Sequence, residues 1–503
     1  SAQKDLVKAV GKPKRAFEAA VIPDDVRAEA KAIVGDRMIP ALTIVGKLER
    51  EAAVEAIKTE LTEKLVAKFG EEAITGSLVG DLFYEIQSSA VRGMLLNEGR
   101  RMDGRGMDEV RPISMEVAVL PRCHGSAVFT RGETQALSMA TLGSMEDAQE
   151  FDAYTGGTNQ KQFMLHYNFP NFSVGETGRI SGPGRREIGH GALAERSIEP
   201  MLPLKDYPYA VRVSTEILES NGSSSMATVC GGTLALMDAG VPMIRPVAGI
   251  SAGLCTEFDE DGKLKRHVVM TDIMGWEDAF GDMDCKIAGT EKGITGFQLD
   301  LKLKGVPLSI IGEALQKTRA ARLKILKMMS ECIAAPRENI SKYAPHIISL
   351  KIPEDKIGAL IGPGGKNIKA LCDESGCEIN IDDDGTVRVY GSNEEGMNIA
   401  KSAIEALSAE IKVGEIYRGK VVSIKDFGCF VEVFPGKEGL VHISELANFR
   451  VKQVEDIVKM GDTFPVKCVG LDDKGRVRLS RKAAMADRER EMKGDREEDD
   501  KGE

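Results

Sequence analysis

Apolar positions near the start of the chain recur at helical spacing. Val54, Ile57, Leu61 and Leu65 form one stripe running toward Gly70, a natural helix stop, and Val26, Ala30, Ile33 and Val34 form a second after Pro23. The pattern predicts a small helical domain over 1–85 whose apolar faces serve packing. From about residue 86 to 336 the period changes, as Val/Ile-rich runs such as VRVSTEIL and KRHVVMTDI alternate with Gly- and Ala-rich helical stretches. An α/β domain is expected there. Residues 346–409 read β-α-α-β-β-α, with strands around 347–352, 378–381 and 386–390. Period two then dominates 413–482, where short strands broken at Pro435-Gly436 and Lys474-Gly475 suit a five-stranded barrel. The stretch 483–503 is almost wholly charged and is expected to fray into solvent. The fold class is therefore a multidomain α/β plus β chain.

Composition narrows the functional classes. A chain of 503 residues has room for three or four domains at about 100 to 200 residues each. Its net charge is −11, from 67 Lys+Arg against 78 Asp+Glu, so any surface for a polyanion must be local. The nine cysteines are scattered singly, and the closest pair, Cys372 and Cys377, lacks zinc-knuckle spacing, which fits reduced thiols in a cytosol. The opening SAQKDLVKAV has no secretory pattern, and no stretch approaches the roughly 18 apolar residues that span a bilayer. A cytoplasmic location without a membrane partner is expected.

Three segments carry candidate chemistry. In ESNGSSSMA a strand-to-helix turn holds Asn221, Gly222, Ser223, Ser224 and Ser225, where hydroxyls and free N–H groups at a helix start could wrap an oxyanion. The plain alternative is an ordinary serine N-cap. In SGPGRREIGHGALAERSI, Arg185 and Arg186 offer two planar forks suited to phosphate oxygens, unless they form a surface ion-pair cluster with Glu187 and Glu195. In EDAFGDMDCKIAGT, Asp282, Asp284 and Lys286 share a strand face, with Asp278 on the preceding loop. Such an all-oxygen set suits Mg²⁺ or Mn²⁺ when a phosphate completes the shell; a solvated acidic strand neutralised by Lys286 is the bland reading. No Ser/His/Asp order or Cys/His pair stands out. The three segments together suggest phosphoryl chemistry in which the protein mainly positions and neutralises.

Six strings carry a family resemblance: RMDGRG (101–106), HGSAVFTRGETQAL (124–137), LHYNFPNFSVGETG (165–178), GRREIGHG (184–191), ESNGSSSMA (219–227) and GDMDCKIAG (281–289). At these residues the chain resembles the second RNase PH-type domain of the bacterial polynucleotide phosphorylase family, and the likeness extends from the helical segment to Lys482. The resemblance implies a transferase that degrades single-stranded RNA from its 3′ end with inorganic phosphate, releasing nucleoside 5′-diphosphates, with polymerisation as the reverse. It implies Ser224 and Ser225 as phosphate binders, Arg185 and Arg186 as RNA and phosphate contacts, and His190 as the active-site histidine. Asp278, Asp284 and Lys286 become the metal and catalytic cluster, while Asp282 is passed over and expected behind it. The family's first RNase PH-type domain has no counterpart in these residues. Family precedent is a ring, so a homotrimer is expected, with an endoribonuclease or helicase as further partners. A non-catalytic RNA-binding scaffold is the rival from another class, and a hydrolytic nuclease would leave the serine cradle unexplained.

Two more segments resemble RNA grips. In KIGALIGPGGKNIKAL the tetrad Gly362, Pro363, Gly364, Gly365, followed by Lys366, resembles the turn of a KH domain, where the absence of bulky side chains lets a nucleic-acid backbone approach. The stretch YRGKVVSIKDFGCFVEVFPGKEGLVHISEL resembles an S1-type OB barrel, whose stacking candidates are Phe427, Phe430 and His442. Asp472 and Arg476 match that family's polar pair.

Overall fold

The computed structural model describes the chain except residues 18–20, 153–155, 180–181, 206, 409–410, 435–436, 473–475 and 488–503, and it divides into two units, Ser1–Ala344 and Pro345–Glu503. The expected barrel turns at Pro435-Gly436 and Lys474-Gly475 lie outside the described residues.

The first unit opens with helices α1 (Ala2–Val10), α2 (Asp24–Val34), α3 (Met38–Leu42), α4 (Lys47–Phe69) and α5 (Gly76–Gly93). Both predicted stripes face inward: Val26, Ala30 and Val34 of α2 and Val54, Ile57, Leu61 and Leu65 of α4 are buried. They do not close a core of their own. The same cluster includes Cys255, Met270, Ile273, Met274 and Phe280 from far along the chain, and α5 runs without a break across the expected boundary at 85. Packing thus joins the helical segment to the α/β part, because the apolar face of α5 continues through Val91 onto the sheet.

The α/β part follows as β1 (Ile113–Val117), β2 (Gly125–Arg131), β3 (Gln135–Gly143), β4 (Gln149–Asp152), β5 (Thr158–Lys161), β6 (Phe163–Asn168), α6 (Arg185–Ile198), β7 (Ala210–Glu219), α7 (Ser224–Asp238), β8 (Ala248–Phe258), β9 (Leu264–Thr271), α8 (Gly275–Phe280), β10 (Met283–Gly289), β11 (Ile294–Leu301) and α9 (Leu308–Cys332). One sheet has the order β1-β2-β3-β7-β6 and another β11-β10-β8-β9, with β4 and β5 forming a separate hairpin. Helix α7 packs against β2 and β3 of the first sheet and β8 and β10 of the second. All of its residues are buried, as expected of a helix that is apolar or small on every side. Its N-terminus is where the serine turn lies.

The second unit contains β12 (His346–Lys351), α10 (Glu354–Ile361), α11 (Lys366–Ser375), β13 (Glu378–Ile381), β14 (Thr386–Gly391) and α12 (Glu394–Ser408), the predicted β-α-α-β-β-α order. Its sheet, β12-β14-β13, is antiparallel and buries Val387 and Val389 against Leu360, Leu371 and Ile404. The unit also contains a closed barrel of β15 (Ile416–Lys425), β16 (Gly428–Phe434), β17 (Lys437–His442), β18 (Thr463–Leu471) and β19 (Val477–Ser480), ordered β15-β16-β17-β19-β18. The stretch expected to fray from 483 begins instead as helix over 481–487. There Ser480 Oγ accepts from the Ala483 N–H at 2.9 Å, Ala484 is buried, and Asp487 pairs with Lys467. The rest of that charged tail, 488–503, lies outside the described residues. Among the described residues, no helix is long and apolar enough to cross a membrane.

Candidate active site and RNA-binding surfaces

Strand β7 delivers the chain into the turn Ser220–Ser223, and α7 starts at Ser224. No serine side chain caps this helix, contrary to the ordinary N-cap expected of such a sequence: Ser223 is left-handed (φ 49°) and its Oγ is buried without a partner. Ser225 is fully buried, and its Oγ has no partner either. Ser224 Oγ shares a 2.6 Å hydrogen bond with the hydroxyl of Tyr167 on β6. Buried hydroxyls are normally hydrogen-bonded, and at a helix N-terminus an anion's oxygen is a suitable partner.

Arg185 and Arg186 are the first residues of α6, exposed, and neither has a hydrogen-bond or ion-pair partner among the described residues. The ion-pair cluster considered for them does not form. Glu187 turns back to accept from the N–H groups of Gly184 and, at 3.2 Å, Phe169, while Glu195 holds Lys161 at 2.7 Å and the Leu165 N–H at 2.9 Å. One turn further along α6, the ring of His190 stands edge-on to Tyr167 at 5.2 Å and 89°. Burial, aided by the charges of Lys286 and Arg186, pulls its pKa down from 6.5 to about 4, so the imidazole is neutral at neutral pH.

Strand β10 is buried at every position, which excludes the solvated acidic strand. Lys286 pairs with Asp284 through Oδ2, and Asp284 Oδ1 is buried without a partner. Asp278 lies on the short helix α8 rather than on a loop. Burial, together with the neighbouring charge of Asp284, raises its carboxyl pKa, with Lys302, Lys286 and Arg186 opposing. These mutual influences gather Arg186, His190, Asp278, Asp284 and Lys286 into one electrostatic neighbourhood. Asp282 does not join them, although period two predicted a shared face. Its carboxylate accepts from Arg92 of α5 at 2.9 and 3.0 Å and from the N–H and hydroxyl of Thr256, each at 2.7 Å. The strand starts only at Met283, so the alternation does not extend back to residue 282.

Sequence reasoning missed two groups here. Tyr167 sits in the run LHYNF among apolar and other polar residues, where nothing local marks its hydroxyl as a partner of the serine turn, and Ser251 reads as one small residue in a buried strand. Ser251 faces Lys286 across the β8–β10 register and its Oγ is buried without a partner.

In the second unit, the tetrad Gly362–Gly365 joins α10 to α11. Gly362, Gly364 and Gly365 have positive φ, and a Cβ on Gly364 would meet nothing within 4 Å, so this turn is open to an approaching backbone. Pro363 and Lys366 are exposed, the latter at the start of α11. On the barrel, Phe427 is 51% exposed, Phe430 is half-buried outside the barrel's buried core, and His442 is exposed, with Nδ1 2.9 Å from Ser444 Oγ. Asp472 and Arg476 are tied to each other at 2.7 Å.

An α/β fold with a serine turn, unpaired arginines and two neighbouring carboxylates, in a chain that also carries a KH fold and an S1-type barrel, defines a class of RNA-handling proteins. Comparison with known proteins agrees. Family models match for the 3′ exoribonuclease family, domain 1, over 109–242, for the polyribonucleotide nucleotidyltransferase RNA binding domain over 25–106, for the KH domain over 347–406 and for the S1 RNA binding domain over 410–482. A polyribonucleotide nucleotidyltransferase of Methylacidiphilum infernorum is 53% identical over 489 residues, which is 96% of this chain and 68% of that protein. Those of Opitutus terrae and Bacillus subtilis are 52% and 47% identical, covering 97% and 96% of this chain and 69% and 68% of theirs. The chain belongs to the polyribonucleotide nucleotidyltransferase family, a family of enzymes, and spans about two thirds of the length of these relatives.

Proposed function

We propose that the chain shortens single-stranded RNA from the 3′ end by phosphorolysis. An oxygen of inorganic phosphate attacks the terminal phosphodiester, the bond from phosphorus to the preceding 3′ oxygen breaks, and a nucleoside 5′-diphosphate leaves; the reverse is polymerisation. The observation that carries this reading is the buried, unpartnered Oγ of Ser225 in the first turn of α7, beside the serine turn, where an oxyanion would supply its partner. Arg185 and Arg186, free of partners, take phosphate oxygens of nucleophile and RNA. Lys286 offsets charge without needing a proton transfer, and the neutral His190 offers a ring N–H to a developing oxyanion.

Among the described residues no group of three or more His, Cys, Asp or Glu side chains forms a cation cage, so a divalent cation would rest on two carboxylates and on the substrate's oxygens. Asp284 Oδ1 has no partner, and Asp278 lies close enough to feel its charge, so these two carboxylates would hold Mg²⁺ or Mn²⁺, with phosphate oxygens completing the shell. When bound, such an ion supplies positive charge at the scissile phosphodiester. The open glycine turn of the KH fold and the exposed Phe427 of the barrel grip the RNA backbone and bases.

The test is to incubate the chain with single-stranded RNA and Mg²⁺, with and without inorganic phosphate, and to identify the released nucleotides. Diphosphates that appear only with phosphate support the reading. Monophosphates indicate a hydrolase, and RNA binding without release indicates a scaffold.

A further inference from the structure

Behind the serine turn lies a buried ion network that the reaction does not use directly. Asp272 is fully buried and, though not glycine, adopts φ 56°. Its carboxylate accepts from Arg111 Nε and Nη2 at 2.9 and 2.8 Å, from the Arg111 N–H at 2.9 Å and from Arg105 Nη1 at 3.3 Å. Arg131 Nε lies 2.7 Å away as an ion pair, at an angle outside hydrogen-bonding range. Burial alone would raise the Asp272 pKa, but the guanidiniums of Arg131 and Arg111 outweigh it and hold the carboxyl well below the usual range.

The far ends of these arginines reach the turn. Arg111 Nη1 donates to the Asn221 carbonyl at 2.6 Å, and Arg131 Nη2 donates to the carbonyls of Gly222 and Ser223, both at 3.1 Å. Thr134 adds its hydroxyl to the Gly222 carbonyl at 3.2 Å and accepts the Asn221 N–H at 3.0 Å. Three consecutive carbonyls are therefore pulled toward one cationic cluster. In a planar trans peptide the following N–H points opposite to each carbonyl, so the N–H groups of Gly222, Ser223 and Ser224 are turned away from the arginines. None of the three has an acceptor among the described residues. Successive N–H groups presented by a turn with positive φ, here 96° at Gly222 and 49° at Ser223, form a concave anion seat. No side chain fits at residue 222, where a Cβ would lie 2.5 Å from the Ile273 carbonyl oxygen. Left-handed Ser223 is strained by itself and persists because the carbonyls are held.

We infer that Arg111 and Arg131, assembled on Asp272 and aided by Thr134, are positioning residues that hold the turn in the shape that seats inorganic phosphate. This rests on the phosphorolytic reading and adds to it the device that shapes the phosphate site from behind. The charges of Arg105, Arg111 and Arg131 exceed those of Asp103 and Asp272, so the network also leaves positive charge behind the anion.

The test uses the full chain with Arg131→Lys and Thr134→Val, the latter a near-isostere that removes both turn hydrogen bonds and leaves the ion network intact. Inorganic phosphate binding is measured directly by calorimetry, alongside the phosphate dependence of nucleoside diphosphate release. Each variant is expected to raise the half-saturating phosphate by about tenfold while kcat at saturating phosphate and RNA affinity stay within about two-fold. If Arg131→Lys fails to fold by circular dichroism, Thr134→Val decides alone. A folded variant with unchanged phosphate affinity, or one whose RNA affinity falls in step, overturns the positioning role. Wild-type protein that binds no phosphate overturns the functional reading itself.

Discussion

Replacing Glu277 with Gln removes one charge from a pair that solvent does not reach. Arg101 and Glu277 both have fully buried side chains, with Nε to Oε1 at 2.7 Å and Nη2 to Oε2 at 2.5 Å. Arg101 also donates to the carbonyls of Thr271 and Asp272, each at 2.7 Å, and Glu277 Oε2 accepts the Met274 N–H at 2.9 Å at the head of α8. An exposed pair of this kind contributes at most about 1 kcal/mol. Here the glutamine leaves a guanidinium buried without its counter-charge, which costs about 3 to 5 kcal/mol. The unit Ser1–Ala344, at about 2.1 cal/mol/K per residue, unfolds with an entropy near about 0.7 kcal/mol/K, so Tm should fall by about 4 to 7 °C. Differential scanning calorimetry of the full chain reads this in the transition of that unit. A fall of less than about 1 °C would show that the pair behaves as a solvated one, and the buried-network account would be wrong.

Two further outcomes concern the site. Asp284→Asn should lower phosphorolysis by about a hundredfold or more while RNA affinity stays within a few-fold, because it removes a candidate metal ligand but no contact of the KH or barrel surfaces; unchanged turnover in saturating Mg²⁺ refutes the assignment. The His190 ring should titrate near 4 by NMR rather than near 6.5. Because its folded pKa is depressed, the unfolded chain takes the proton first, so His190 adds a loss of stability as pH falls from 6.5 toward 4 and has no effect above that window. A midpoint between about 6 and 7 would place the ring in water, away from Lys286 and Arg186.

Much of this architecture is readable along the chain, because the signals are local. The stripes of α2 and α4, the β-α-α-β-β-α order around Gly362–Gly365 and the two-residue period of the barrel each lie within a short window, where helix and strand geometry impose their own spacing. The serine turn, Arg185, Arg186 and the Asp284–Lys286 strand are legible as chemistry because their residue types cluster in sequence. Tertiary structure decided what those groups face. It placed Asp282 on Arg92 and Thr256 instead of beside Asp284, left the Oγ of Ser225 unpaired, and brought Tyr167 onto Ser224. It also set Asp272 against Arg111, 161 residues away, and joined the helical segment to the sheet through one core. Nothing in a local window distinguishes a solvated arginine from one buried on a carboxylate. The distinction arises only when distant strands enclose both and exclude water, and that enclosure is what makes the charges behind the serine turn strong enough to shape it.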